Sequence, residues 1–224
     1  MKLPTRFCSV CLVLAAIALP ASAGQITASF PDPGATVFPP IHMLLNNDDQ
    51  SPDNYLFVSK VFMSTQVVEV GAPIDIEFAV TDSGTVAPGV TEYLVQETVD
   101  NDTGVDWIKY EMFLGFGTGD SFQQSPAGDG LDFDVPNLDG SPDPISQAFA
   151  SVNKSEDVIT FTNGLHKSAA KNYSFRIDVP DGIRLFTLRQ VPTAVPEPGA
   201  LALLGVALAG LGFGLRRRRL NGLA

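Results

Sequence analysis

The stretch Ile74-Asp75-Ile76-Glu77-Phe78-Ala79-Val80 sets large apolar side chains at every second position, and Tyr173-Ser174-Phe175-Arg176-Ile177-Asp178-Val179 repeats the pattern. A period of two places alternate side chains on opposite faces of an extended chain, so each stretch reads as a β-strand with one buried face. Weaker forms of the same signal predict strands over 55–63, 91–99, 107–116, 157–162 and 183–191, with further ones at 25–30, 131–135 and 147–152. Turn-forming clusters such as Asp82-Ser83-Gly84, Asp100-Asn101-Asp102-Thr103-Gly104 and Asp181-Gly182 separate them. No stretch before residue 199 carries a capped pattern of period 3.6. The expectation is an all-β fold, an antiparallel sandwich of jelly-roll-like kind.

Two segments do not fit a central strand. Residues 31–52 hold prolines at 31, 33, 39, 40 and 52, and are expected to wrap the surface as a loop or as short edge pieces. Residues 117–144 are rich in Gly, Asp and Pro and are expected as a second loop.

The chain ends define its organisation. Lys2 and Arg6 precede an apolar run over 10–19 and the segment Pro20-Ala21-Ser22-Ala23, which has the form of a secretory signal peptide, residues 1–23, cleaved before Gly24. Both cysteines, Cys8 and Cys11, fall inside it, so the exported domain has no disulfide and no thiolate chemistry. The domain expected over 24–190 is long enough to bury its own core. Over 24–194 the chain holds 8 basic against 24 acidic residues, a formal charge of −16. Such a surface repels phosphate, which excludes nucleic acid and anionic lipid as partners of the domain.

At the other end a proline-rich stalk over 191–198 contains Pro196, Glu197 and Pro198. Residues 199–215 then lack any charged or polar side chain, and Arg216, Arg217, Arg218 and Arg219 open a basic tail over 216–224. As a helix the apolar run would extend about 26 Å at 1.5 Å per residue. That is slightly under the roughly 30 Å hydrocarbon core of a membrane, a difference that snorkelling of Arg216 makes up. The arginines stay on the cytoplasmic side, placing the domain outside.

This tail resembles the PEP-CTERM sorting signal of Gram-negative bacteria, in which a Pro-Glu-Pro box, a membrane helix and an arginine cluster are read by the transpeptidase exosortase. Pro196, Glu197 and Pro198 correspond to the box, 199–215 to the helix, and Arg216 to Arg219 to the basic cap. The resemblance implies export, transient anchoring through the helix, cleavage near the box, and delivery to the cell surface or an exopolysaccharide matrix. The stretch 97–110, with Asn101-Asp102-Thr103-Gly104 leading into Asp106-Trp107, looks like a turn-and-strand element that recurs in exported proteins of this class.

Residues with catalytic chemistry are sparse. Gly119-Asp120-Ser121 is similar to the nucleophile motif of one esterase family, but neither His42 nor His166 has the aspartate three residues ahead that this family's base carries, and the helices of that fold are missing. Two histidines are too few for a histidine metal triad, and each is expected at the surface or in a turn. The acidic residues Asp120, Asp129, Asp132, Asp134, Asp139 and Asp143 share one loop, and Asp129, Asp132 and Asp134 form the candidate Ca²⁺ site, because hard oxygen donors on a flexible segment are what Ca²⁺ selects. No other cofactor is expected. Trp107 and the four tyrosines, the aromatic side chains that could stack on sugars, fall on predicted strands and are expected in the core. Asn101, Asn153 and Asn172 each begin a glycosylation tripeptide. The sequence thus points to an exported structural or adhesive protein with exosortase, the membrane and exopolysaccharide as partners. A carbohydrate- or Ca²⁺-binding module is the alternative, and a secreted hydrolase a more distant one.

Overall fold

The alternating stretches do become strands. The computed structural model describes residues 24–42, 54–63, 72–81, 89–138, 140, 142–195, 204, 206 and 208. In chain order the described strands are β1 (Gln25–Pro31), β2 (Ala35–Val37), β3 (Ile41–His42), β4 (Asn54–Met63), β5 (Ile74–Thr81), β6 (Val90–Asp102) and β7 (Trp107–Phe116). A 3₁₀ turn at Gly119–Ser121 and β8 (Gln123–Gln124) follow, then β9 (Ile145–Ser146), β10 (Phe149–Lys154), β11 (Val158–Gly164), β12 (Ala170–Pro180) and β13 (Leu185–Ala194).

They form two sheets. The first runs β1-β5-β13-β7-β11-β10, with β8 added to β7; the second runs β2-β4-β6-β12-β9, with β3 added to β4. Pairing is antiparallel throughout, save that β4 and β6 run parallel from Asn54↔Tyr93 to Met63↔Asp102. The exception has a topological cause: between β4 and β6 the chain crosses to the first sheet to make β5, and so returns in its original direction.

The inward faces of the two sheets pack on each other as the alternation requires. Ile74, Ile76, Phe78 and Val80 of β5 and Tyr173, Phe175, Ile177 and Val179 of β12 are all buried. Aromatic rings join the layers: Phe62 of β4 meets Trp107 of β7 edge-on at 4.9 Å, and Tyr173 of β12 meets Phe161 of β11 at 5.3 Å and Tyr110 of β7 at 5.1 Å. Such pairs add about 1 kcal/mol each beyond the area they bury. Within the first sheet Phe78 and Phe186 are direct cross-strand partners and stack at 5.0 Å.

Several inward positions are polar, and four of them meet. Lys60 of β4, Glu97 of β6, Gln190 of β13 and Tyr110 of β7 are all fully buried or nearly so, and they converge between the sheets. Lys60 Nζ lies 3.1 Å from Glu97 Oε1 and contacts Gln190 Oε1. Gln190 Nε2 donates to Glu97 Oε2 at 3.0 Å, and the Tyr110 hydroxyl donates to Gln190 Oε1. Burial pushes the Lys60 ammonium pKa down against the pull of Glu97, and pushes the Tyr110 hydroxyl well up.

Several expectations are corrected. Residues 131–135 form no strand: Asp132 makes a single bridge to Asp178, Val135 N–H then bonds back to Asp132 Oδ1 at 2.7 Å, and Asp134 sits at φ 53°, a left-handed conformation that ends extension. Within the irregular stretch 117–144, Leu131 and Phe133 are fully buried, the latter against Phe175. The first four residues expected as stalk, 191–194, are strand instead. β13 continues to Ala194 on β7, and Pro192 is tolerated there because β5 has already ended at Gln190 and leaves that edge open. Residues 31–42 hold the edge pieces β2 and β3. The segment expected as signal peptide, 1–23, lies outside the described residues. So does 199–215 apart from Leu204, Val206 and Leu208, which are helical and exposed; among the described residues no helix is long and apolar enough to cross a membrane.

Two positions give sharp tests. Gly115 of β7 lies under the β8 strand, where an added Cβ would strike the Gln123 carbonyl oxygen and come within 2.8 Å of the Phe122 ring. Gly115→Ala should destabilise the domain by about 2 kcal/mol, read from urea unfolding. Asp157, just ahead of β11, is buried with its Oδ1 lacking a hydrogen-bond partner among the described residues. Burial, then Asp129 and Glu156 nearby, push its carboxyl up to about 6. A raised carboxyl favours the folded state while protonated and loses that contribution as pH rises through about 6. Asp157→Asn should therefore stabilise the domain by on the order of 1 kcal/mol at neutral pH, and the gain should vanish below the ordinary carboxylate range near about 4.

Candidate binding groove

Fixing one face of the second sheet inward fixes the other outward. With Glu97 and Tyr173 facing the core, Gln96 and Thr98 of β6 and Asn172 and Ser174 of β12 face out, beside Phe57 and Ser59 of β4. Register then aligns them in two rows across the sheet: Phe57, Gln96 and Ser174 in one, Ser59, Thr98 and Asn172 in the next. The edges rise around these rows. Phe38, held by its N–H to Phe57 O at 3.0 Å, stands on one side at 52% exposure, and Ile145 of β9 stands on the other at 63%. Together with Ser146 and Gln147 they enclose a groove of about 550 Å³.

Its polar side chains are neutral amides and hydroxyls. Thr98 Oγ1 donates to Asn172 Oδ1 at 2.9 Å, and Asn172 and Gln147 are locked reciprocally, Asn172 N–H to Gln147 Oε1 and Gln147 N–H to Asn172 O. The one charged residue in the lining, Glu97, points through the sheet to Lys60. Beyond the groove on the same face, Arg176 is paired with Glu92 at 2.8 Å and donates to Pro142 O, so that charge is used internally. A floor of groups that both donate and accept, walled by two apolar side chains, can hold a ligand bearing hydroxyls and apolar C–H faces.

The residues singled out from sequence are placed as follows. Asp129 is a turn acceptor, taking Ser125 Oγ–H at 2.7 Å and Leu131 N–H at 3.0 Å. Asp132 caps Val135, and Asp134 is buried 3.4 Å from Lys154 Nζ. These three do not converge, and among the described residues no group of three or more His, Cys, Asp or Glu side chains could hold a metal ion. Asp120 and Asp143 are exposed, and Asp139 lies outside the described residues. Gly119-Asp120-Ser121 forms the 3₁₀ turn, where Ser121 Oγ donates to Thr118 O at 2.7 Å. Gly119 is clamped by Asp75 and Arg189, which themselves pair through two hydrogen bonds. That serine closes a turn.

His166 is a core residue rather than a surface one. Its Nε2–H donates to Ala169 O, so Nδ1 accepts the Tyr173 hydroxyl at 2.9 Å, and the ring meets Trp107 edge-on at 4.8 Å. Burial pushes its pKa down and keeps it neutral. The His42 side chain, and the box and cap residues Pro196, Glu197, Pro198 and Arg216 to Arg219, lie outside the described residues. Trp107, Tyr93, Tyr110 and Tyr173 are buried as expected, while Tyr55 lies half-buried on the outer face, stacked on Phe57 at 6.4 Å. Asn101 is fully buried and organises the turn into β7, donating to Val105 O and His166 O, which removes it from any modifying enzyme. Sequence reasoning missed the groove, because Gln96, Thr98, Asn172 and Ser174 lie about 75 residues apart and only register brings them together.

Residues 194–219 match the family model of the PEP-CTERM protein-sorting motif. Neither a curated protein nor a solved structure matches the chain. The match begins at Ala194, the last residue of β13. The chain thus carries a PEP-CTERM protein-sorting motif, which implies export, processing by exosortase and sorting to the cell surface.

Proposed function

We propose that the protein is a structural and adhesive component of the cell surface or exopolysaccharide matrix, and that it engages a neutral polysaccharide through the groove of its second sheet. One observation carries this reading: on a chain of formal charge −11, the groove presents amides, hydroxyls and two apolar walls, and no outward charge. Sugar hydroxyls donate and accept at once, which matches Gln96, Thr98, Asn172 and Ser174, and the C–H faces of a sugar ring suit Phe38 and Phe57.

The architecture supports the same reading. Counted from β5 and passing over the short β8, the first sheet reads first, eighth, third, sixth, and the second reads second, seventh, fourth. That is the wrapped order of a jelly roll, with the fifth strand, β10, paired to β11 instead of standing beside β9. Jelly rolls serve widely as lectin and capsid domains. In this reading the signal peptide and the helix over 199–215 deliver the sandwich outward and hold it until the Pro-Glu-Pro box is cut.

Two experiments test the proposal. The purified full chain should be retarded in affinity electrophoresis by neutral polysaccharide extracted from the host matrix, and Gln96→Ala or Phe38→Ala should each weaken binding about tenfold. No retardation by any neutral polysaccharide, or equal retardation of the variants, would overturn the groove assignment. Separately, mass spectrometry of envelope and medium should find the wild-type chain without residues 199–224, and Glu197→Ala with them; an intact tail in both would leave a tethered protein instead.

A further inference from the structure

The four polar groups buried between the sheets are arranged for a reaction with one another. Packing does not explain them, since apolar side chains of similar size commonly stabilise a core as well as a buried ion pair does. Each group instead holds a chemical position. Lys60 Nζ, a potential nucleophile, touches the carboxamide of Gln190. Glu97 reaches both reactants, with Oε1 3.1 Å from the Lys60 nitrogen and Oε2 3.0 Å from the Gln190 nitrogen. The Tyr110 hydroxyl points at the Gln190 carboxamide oxygen, where negative charge would develop on attack.

We propose that Lys60 and Gln190 become joined by an intramolecular isopeptide bond, with Glu97 as the proton carrier and Tyr110 as the donor to the oxyanion. The starting state is an ammonium, a carboxylate and a primary amide. Glu97 takes a proton from Lys60, and the free amine adds to Gln190 Cδ. The C–O π pair moves onto Oε1, which accepts the Tyr110 hydrogen bond. Glu97 passes its proton to the Gln190 nitrogen and takes one from the nitrogen of Lys60. The intermediate then collapses with loss of ammonia, leaving a secondary amide between Nζ and Cδ and a protonated Glu97. No oxidant, reductant or co-reactant enters.

The surroundings favour each step. Desolvation lowers the cost of the neutral amine, which is the form that attacks. Burial keeps Tyr110 protonated and therefore a donor. Water is excluded from all four groups, which protects the intermediate from hydrolysis. The bond would span 130 positions of chain, tying β4 in one sheet to β13 in the other, in a domain whose sequence has no cysteine to do so.

The test is peptide mapping of the full chain, denatured and digested with trypsin. The expected result is a branched peptide joining Lys60 to Gln190, lighter by one ammonia than its two parts, with no cleavage after Lys60. Glu97→Gln should yield the two linear peptides at full mass, and Lys60→Met should leave Gln190 unmodified. Folded wild-type protein with cleavage after Lys60 and an unmodified Gln190 peptide would overturn the proposal whatever the variants do. A branched peptide formed equally by Glu97→Gln would overturn the role given to Glu97.

Discussion

The contact of Lys60 with Glu97 and Gln190 is the constraint on which the sandwich turns. Each charge has left water, at a cost of several kcal/mol, and is compensated only where all the partners meet. β4, β6, β7 and β13 contribute one group apiece, two strands from each sheet. A slip of one residue in any of them would carry its polar group to the outer face and bring a different side chain inward, leaving the others buried without partners. Hydrophobic alternation says which face of a strand is buried. The polar set selects one register and one alignment of sheet on sheet.

The groove inherits that choice. Gln96 and Thr98 flank Glu97 in β6, so holding Glu97 inward turns both outward, and the pairing of β6 with β12 sets Ser174 and Asn172 beside them. At the far end of the same strand Asn101 does comparable work, gathering Val105, Thr103 and the His166 carbonyl so that Trp107 enters β7 facing the core. Groove and buried network are two faces of the same strands.

Much of this was legible in the sequence. Strands β4, β5, β6, β7, β11 and β12 fall where alternation predicts them, because a half-buried strand cannot avoid that pattern. The parallel pairing of β4 with β6 was not, since it follows from which sheet β5 joins, a non-local matter. The apolar pair Leu131 and Phe133 suggests a strand over 131–135, and both are buried, but the turn-forming aspartates and glycines around them reduce the pairing to a single bridge. Residue type alone puts His166 at the surface or in a turn, yet its ring satisfies both nitrogens from within the core. Lys60, Glu97 and Gln190 did leave a trace. Each stands in phase with apolar neighbours, Lys60 with Leu56, Val58 and Phe62, Glu97 with Tyr93, Val95 and Val99, Gln190 with Phe186 and Leu188. A charge in the buried phase of a strand is a signal that composition hides and phase reveals.

The placement of β13 joins these features to the sorting motif. From Leu185 to Gln190 this strand is bonded to β5, and from Thr187 to Ala194 to β7, so it sits in the middle of the first sheet and leaves it on one neighbour only. The motif begins at Ala194. Any pull on the chain beyond Ala194 therefore enters along β13. The singly bonded stretch from Val191 to Ala194 is its weakest part and yields first. The load next reaches Gln190, where both neighbours pair and where the side chain is held by Tyr110 of the adjacent strand and by Glu97 and Lys60 across the core. The polar network thus stands at the point where force passes from one strand into both sheets, which is where the strand that leads into the sorting motif most needs to be fastened.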